Sequence, residues 1–395
     1  MISDNISKVN PNNCFGCSAC EYSCPCNAIT MEFESGFLHP IVNEDKCVRC
    51  GLCISQCQAV KPLQNVFPLS RAFVLTAKNE QVYSSASSGG FFGVLAKYFI
   101  EEMDGVVCGA VMDDDLYVRH RIVSDTKDIY KVQGSKYVQS DISRVYSSIK
   151  DYLDDGRPVL FSGTPCQVSA VRGLFGNKYD TIFFVDLICH GCPSPEMLRK
   201  YLLQLAKGRK VDSVLFRTKD KYERYGFNLR VSFKDNSRPV FIAGNEDPYY
   251  RLFHGNLSFR ESCYQCPFAQ SSRVGDITIG DCGNSAFYTD FHPDKTLSTI
   301  YPITEKGYRL FEKIVDGFFI KEADVRFEAS ANKQLNNPSI RPEGRGIVYE
   351  NPEVPIVDLA NELLGKVSLL TVVKNRLKRI LPESTRHRLF KAITR

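Results

Sequence analysis

From residue 72 onward, short apolar runs alternate with stretches of helical period, and the pattern reads as strand, helix, strand, repeated. Ala72–Ala77 predicts a strand. Residues 91–103 predict an amphipathic helix opened by Ser87-Ser88-Gly89-Gly90. Val106–Met112 and residues 117–123 read as strands, followed by a helix over 141–155 with Asp141 as its N-cap. Residues 158–161 and 181–189 are buried strands, each followed by a turn and a helix; the second helix runs through Ala206. Residues 211–243 are β-rich, and 325–360 read as irregular and polar. Strands alternating with helices indicate an α/β core with a mixed sheet.

The first 62 residues break this rhythm and repeat a different one. Cys14-x2-Cys17-x2-Cys20-x3-Cys24 is followed by Cys47-x2-Cys50-x2-Cys53-x3-Cys57. Each run has the spacing that wraps a 4Fe–4S cube, with the fourth thiolate of each run ligating the other cluster. Cys14, Cys17, Cys20 and Cys57 are therefore expected to hold one cluster, and Cys47, Cys50, Cys53 and Cys24 the second. Zinc ligands usually come as separated pairs, and a disulfide framework needs an oxidising compartment. One asymmetry stands out: Pro25 follows Cys24, but Gln58 follows Cys57. Cys26 falls outside the spacing. The expected organisation is an α+β ferredoxin-like module at 1–62, a larger α/β domain at 70–330, and an irregular segment with a basic tail at 331–395.

Composition changes the picture in two places. Sixteen cysteines with no secretory start fit a reducing cytoplasm, and no run of 18 apolar residues suggests a spanning helix. The net charge of +5 is local: residues 366–395 carry nine Lys or Arg against Glu383 alone, which leaves the rest mildly acidic. A nucleic-acid face, which needs basic residues spread over a folded surface, is not expected. In the tail, Leu369, Leu370, Val373, Leu377, Ile380 and Leu381 recur at helical spacing among Lys374, Arg376, Lys378 and Arg379. Such a segment could lie on an anionic membrane surface, remain solvated or dock on a protein.

A second set of cysteines sits in the α/β region. Cys166 and Cys189 each follow a buried strand, where ligands bind in such sheets, and Cys263-x2-Cys266 comes later. These four could supply a third 4Fe–4S cluster; buried free thiols or a zinc site are the alternatives. Cys192 and Cys282 lie nearby in sequence, and Cys108 reads as core.

Ser87-Ser-Gly-Gly90, Gln133-Gly-Ser-Lys-Tyr-Val-Gln139, Gly163-Thr-Pro-Cys-Gln167, Cys189-His-Gly191, Cys263-x2-Cys266 and Gly275-Asp-Ile277 together resemble the family of coenzyme F420 hydrogenase/dehydrogenase beta subunits over roughly 70–330. The resemblance implies a flavin-binding α/β domain with FAD and favours the third cluster on Cys166, Cys189, Cys263 and Cys266. An apolar residue is expected where Cys192 stands and an aromatic one where Cys282 stands. With the resemblance, FAD is assigned to Ser87, Ser88, Gly89 and Gly90, and to Gly134, Ser135, Lys136 and Tyr137, with Gly163 and Thr164 beside them. A helix N-terminus favours phosphate, and a lysine adds a cation. No GxGxxG fingerprint supports a dinucleotide site of the Rossmann kind.

His190 is a candidate proton donor, or a histidine that holds its loop. Asp276 and Asp281 could accept ribose hydroxyls or simply end a strand. Arg217, Tyr222, Arg224, Tyr225, Phe227 and Arg230 could recognise an anionic or sugar-like substrate, or form a strand surface. The function expected is an iron–sulfur flavoprotein oxidoreductase. It would take electrons from ferredoxin or another one-electron protein and pass them through the clusters to FAD. The acceptor would be a small organic molecule or a deazaflavin, in one setting within polysaccharide biosynthesis. The alternative is an electron-transfer component of a larger complex with no substrate site of its own.

Overall fold

A computed structural model describes residues 4–63, 66–219, 227–288, 290–292 and 295–380. Tyr222, Arg224, Tyr225, Leu381 and the rest of the basic tail beyond it lie outside the described residues. The chain divides into two compact units, 1–199 with 259–341 and 200–258 with 342–395. This differs from the three consecutive segments expected from the sequence.

In chain order, the strands of the first unit begin with the hairpin β1 (Ile29–Glu34) and β2 (Phe37–Val42), followed by the two-residue β3 (Phe67–Pro68). Then come β4 (Ala72–Ala77), β5 (Val106–Met112), β6 (Val118–Val123), β7 (Val159–Gly163) and β8 (Ile182–Leu187). The second unit holds β9 (Val211–Leu215), β10 (Asn228–Phe233) and β11 (Val240–Ala243). The chain returns to the first with β12 (Ser272–Arg273), β13 (Ile277–Asp281), β14 (Ser298–Pro302) and β15 (Phe318–Ala323).

Eight of these strands form one mixed sheet in the order β15-β4-β14-β13-β8-β7-β5-β6. Its parallel centre is β13-β8-β7-β5, flanked by antiparallel β6 on one side and β14 on the other. Central strands read as continuous apolar runs because both faces are covered. β4 is buried at every position. On one face Leu75, Val107, Leu160, Val185 and Ile300 meet the helix Phe91–Glu101. On the other, Cys108, Phe161 and Phe184 meet the helices Val145–Asp154 and Pro165–Val171. The last of these starts with Thr164 as N-cap and Pro165 in the first turn, where its missing N–H costs nothing.

Two expectations are corrected here. The helix expected from Asp141 begins at Val145. Asp141 instead bridges to β6: its carbonyl accepts from His120 N and its carboxylate from Ser143 N. Residues 325–360 are not irregular. They hold the helices Val325–Ser330, Arg345–Glu350 and the start of Ile356–Leu364, short because prolines interrupt them.

In the second unit, β9–β11 form an antiparallel sheet. Tyr249 and Tyr250 are fully buried, and Phe227 stands edge-on to Tyr250 with Arg217 over its ring. Arg217 and Phe227 thus take part in packing. The helix Leu369–Ile380 buries Asn375, which donates to Asn245 and Glu246, and leaves Leu369, Leu370 and Val373 exposed. No described helix is long and apolar enough to cross a membrane.

Candidate iron–sulfur centres

None of the sixteen cysteines is in a disulfide. Those of the N-terminal module gather around two cavities. Cys14, Cys17, Cys20 and Cys57 line one of about 250 Å³. Cys24, Cys47, Cys50 and Cys53, with Cys26 beside them, line a tighter one of about 20 Å³. The fourth cysteine of each run has crossed to the other run's cavity. Tight turns make the thiol loops: Gly16 and Gly51 have φ of 61° and 75°, the left-handed region that glycine enters freely.

This module is fastened to the mixed-sheet core by buried and partly buried bonds. Gln139 Nε2 donates to Phe15 O at 2.7 Å, and Tyr146 Oη to Cys17 O at 2.6 Å. Ser194 Oγ donates to Gly36 O at 2.7 Å. Gln58, the residue that breaks the repeat, is buried and accepts from Ser169 on the helix that carries Cys166.

Cys166 follows β7 and Cys189 follows β8, at the carboxyl ends of neighbouring parallel strands. The Cys263–Cys266 turn joins them. Cys263 N donates to Arg260 O at 3.0 Å, and Arg260 N to Cys192 O at 2.9 Å. Cys17, Cys166 and Cys266 pack against one apolar core, and Cys166 is close enough to act electrostatically on Cys17. Burial pushes Cys166 up to about 11 and Cys266 up to about 12; nearby thiols add to both effects. Burial likewise holds Cys17 up at about 12, with Cys14, Cys57 and Cys166 contributing. Cys189 is lowered, chiefly by a hydrogen bond from Cys192.

Of the two unexpected thiols, Cys192 belongs to this group. Cys282 does not; it faces the buried carboxylate of Glu328, which also accepts from Tyr288 and Thr299. Cys108 is fully buried core.

Thiols this costly to ionise fit a bound cationic core. Iron takes thiolates, and its charge offsets the desolvation that burial imposes. Among the described residues, no three His, Cys, Asp or Glu side chains converge closely enough for a single metal ion. The cysteines of the N-terminal module line two cavities instead, and in a 4Fe–4S cube each iron takes its own sulfur.

The segments expected at FAD meet each other. Ser135 N donates to Ser87 Oγ at 2.7 Å, and Gly134 has φ 82°. Lys136 Nζ donates to the carbonyls of Lys131 and Gln133, both at 2.9 Å, and desolvation lowers it to about 7. An anionic phosphate would suit this desolvated ammonium. Ser88 and Gly89 are otherwise engaged. Ser88 Oγ donates to Leu297 O, and Gly89 N to Ser298 Oγ. A Cβ on Gly89 would lie 2.4 Å from Leu75 O, so its close approach is to the sheet. Thr164 Oγ1 lies 3.2 Å from Cys166 Sγ.

His190 Nδ1 accepts from Gln334 at 2.6 Å, and its carbonyl from Ser339 at 2.7 Å. Asp276 is no open ribose acceptor. It is buried, pairs with Arg172 at 2.6 Å and accepts from Phe184 N and Thr304 Oγ1. Sequence reasoning missed a second buried pair beneath the Cys189 loop, Arg273 with Asp186 at 3.2 Å. Arg273 also donates to Leu187 O. The signal was a lone arginine just before Gly275-Asp276.

The fold and site define an iron–sulfur dicluster module set on a mixed-sheet α/β core. Residues 13–59 match the 4Fe-4S dicluster domain. Residues 72–147 and 156–326 match the N-terminal and C-terminal parts of the coenzyme F420 hydrogenase/dehydrogenase beta subunit. The chain belongs to this family. It is 22% identical over 347 residues to the coenzyme F420-dependent sulfite reductase of Methanocaldococcus jannaschii, covering 85% of this chain and 50% of that protein. The chain thus spans about half the length of that relative. It is 21% identical over 325 residues to a subunit of the F(420)H(2) dehydrogenase of Methanosarcina mazei, covering 78% of this chain and 84% of that one. A chain of the F420-reducing [NiFe] hydrogenase complex from Methanosarcina barkeri superposes with a TM-score of 0.46 at 18% identity, covering 68% of this chain and 90% of the other.

Proposed function

We propose that the chain is the electron-transfer component of a larger redox assembly, with three 4Fe–4S clusters and FAD. Cys14, Cys17, Cys20 and Cys57 would hold one cluster, Cys24, Cys47, Cys50 and Cys53 the second, and Cys166, Cys189, Cys263 and Cys266 the third. The observation that carries this reading is the packing of Cys17, Cys166 and Cys266 on a single apolar core. Together with the electrostatic action of Cys166 on Cys17, it supports neighbouring first and third thiol sets, with the bonds from Gln139, Tyr146 and Ser194 holding the module in place. Bound clusters supply one-electron transfer, and a flavin exchanges one electron for two. Ser87, Gly134, Ser135 and Lys136 are the residues that best suit its phosphates. His190, engaged by Gln334 and Ser339, is assigned to fixing the loop of Cys189 and Cys192.

The relatives support a component of an assembly over a self-sufficient enzyme. One is named as part of a dehydrogenase, and another is a reductase of which this chain covers only half. Their names make a deazaflavin the favoured two-electron partner at the flavin. The reading is tested by iron, acid-labile sulfide and flavin analysis of protein purified without oxygen. About twelve irons and one FAD are expected, with about four irons lost in Cys263→Ser. About eight irons and no flavin would overturn the third cluster and the flavin site. Turnover of an organic substrate by the isolated chain would overturn the reading as a component.

A further inference from the structure

Arg260 is 3% exposed, yet among the described residues every group its guanidinium meets is neutral. Nε donates to Cys14 O, Nη1 to Gln139 Oε1 at 3.1 Å and Nη2 to Leu38 O at 2.8 Å. The His39 ring lies 3.1 Å from Nη2, and desolvation, helped by Arg260 itself, lowers that histidine to about 4, so it is uncharged at neutral pH. Among the described residues no carboxylate pairs with Arg260. A buried charge without a counter-charge is strongly unfavourable, so the fold must supply one elsewhere or have a use for it.

The position of the residue indicates the use. Its backbone is bonded to Cys192 and Cys263, in the second set of cysteines, while its side chain reaches the backbone of Cys14 in the first cavity. Ser262 Oγ donates to the same Cys14 carbonyl at 2.9 Å. Space has been left for the guanidinium: a Cβ on Gly16 would stand 2.8 Å from Nη1.

We infer that Arg260 is the shared counter-cation of the two neighbouring centres, that of Cys14, Cys17, Cys20 and Cys57 and that of Cys166, Cys189, Cys263 and Cys266. The inference rests on the proposed clusters. Four thiolates outweigh the charge of the core they bind, and each electron gained adds one more negative charge. A buried cation between the two sites favours the reduced state of both and raises their potentials. It also eases the electrostatic cost of placing two anionic centres side by side. Arg260 is a positioning and tuning residue that exchanges neither electron nor proton.

The test is potentiometric titration of the intact chain, followed by low-temperature EPR, on Arg260→Gln, Arg260→Lys and Gln139→Glu. The last variant keeps the acceptor for Arg260 Nη1 but puts a carboxylate on the guanidinium, at the loss of the donation to Phe15 O, and so serves as a second probe should Arg260→Gln fail to fold. With iron content unchanged, Arg260→Gln and Gln139→Glu should each disfavour reduction of two centres at least tenfold, about 59 mV for a one-electron couple. The Cys24, Cys47, Cys50 and Cys53 centre should not move, and Arg260→Lys should recover much of the shift. Iron-replete variants with unshifted potentials, or with all three centres shifted equally, would overturn the inference. Wild-type protein without iron would instead defeat the cluster assignment before any variant is compared.

Discussion

Gln58 accepts a hydrogen bond from Ser169 across 111 residues of sequence. It stands where the other half of the repeat carries Pro25. A proline there has no side-chain acceptor, so this break in the internal symmetry is a fastening point between the thiol module and the helix that carries Cys166. Gln58→Ala leaves Ser169 buried and unpartnered. It should cost about 1–3 kcal/mol, measured as a lowered denaturant midpoint, with the iron content of the module retained. An unchanged midpoint would show that the contact contributes nothing.

Cys282 and Cys166 should part company on substitution. Cys282→Ser is expected to leave the iron content at the wild-type value, because Cys282 faces Glu328 and not the other cysteines. Cys166→Ser should remove about four irons. Equal iron loss in both variants would place Cys282 among the ligands.

Flavin retention should depend on Lys136. Among the described residues its ammonium meets only carbonyl oxygens, and desolvation lowers it to about 7. Replacement by Met is expected to weaken FAD binding about tenfold or more, about 1.4 kcal/mol, with iron unaffected. Equilibrium dialysis of the apo-flavin form measures this directly, and unaltered affinity would move the phosphate site elsewhere.

The Arg172–Asp276 pair should be expensive to break. Both side chains are largely buried, and Asp276 also accepts from Phe184 N and Thr304. Asp276→Asn strands the guanidinium and should destabilise the fold by about 3–5 kcal/mol. Adding Arg172→Met to it should restore a good part of that loss. A double variant as unstable as the single one would shift the explanation to the hydrogen bonds of Asp276.

Asp247 gives the second unit a pH signature. Burial raises it to about 6, although Tyr250 N and Tyr201 Oη donate to it. Its folded value exceeds the unfolded one, so the native chain binds the extra proton. Its contribution to stability therefore falls as pH rises from about 4 to 6 and is level above that. Asn also caps helices well. Asp247→Asn should be more stable than wild type at pH 8, by about 2–3 kcal/mol, and no different near pH 4. Urea midpoints at the two pH values decide it, and a difference independent of pH would refute the assignment.

The sequence was most legible where chemistry is written locally. Ala72–Ala77 and Val106–Met112 appear as strands with the bounds read from their apolar runs. The spacing of eight cysteines anticipated which thiols share a cavity. What it hid depends on distant partners. Arg260 meets Cys14 and Leu38 more than 220 residues away, and Arg273 finds Asp186 across 87. Nothing beside either arginine announces that it is buried. Gly89 looked like a residue making room for a ligand, but the room is for Leu75 O. The second unit is assembled from two separate stretches of chain, which no local pattern could join.

Each half of the cysteine repeat lends one thiol to the other half's cavity. Neither half can therefore be finished alone. A chain cut between them would leave two incomplete shells rather than one good site and one missing. Loss of either centre would also withdraw a wall from its neighbour. Maturation of the module should then behave as a single event, with empty and fully loaded forms dominating and half-loaded protein scarce.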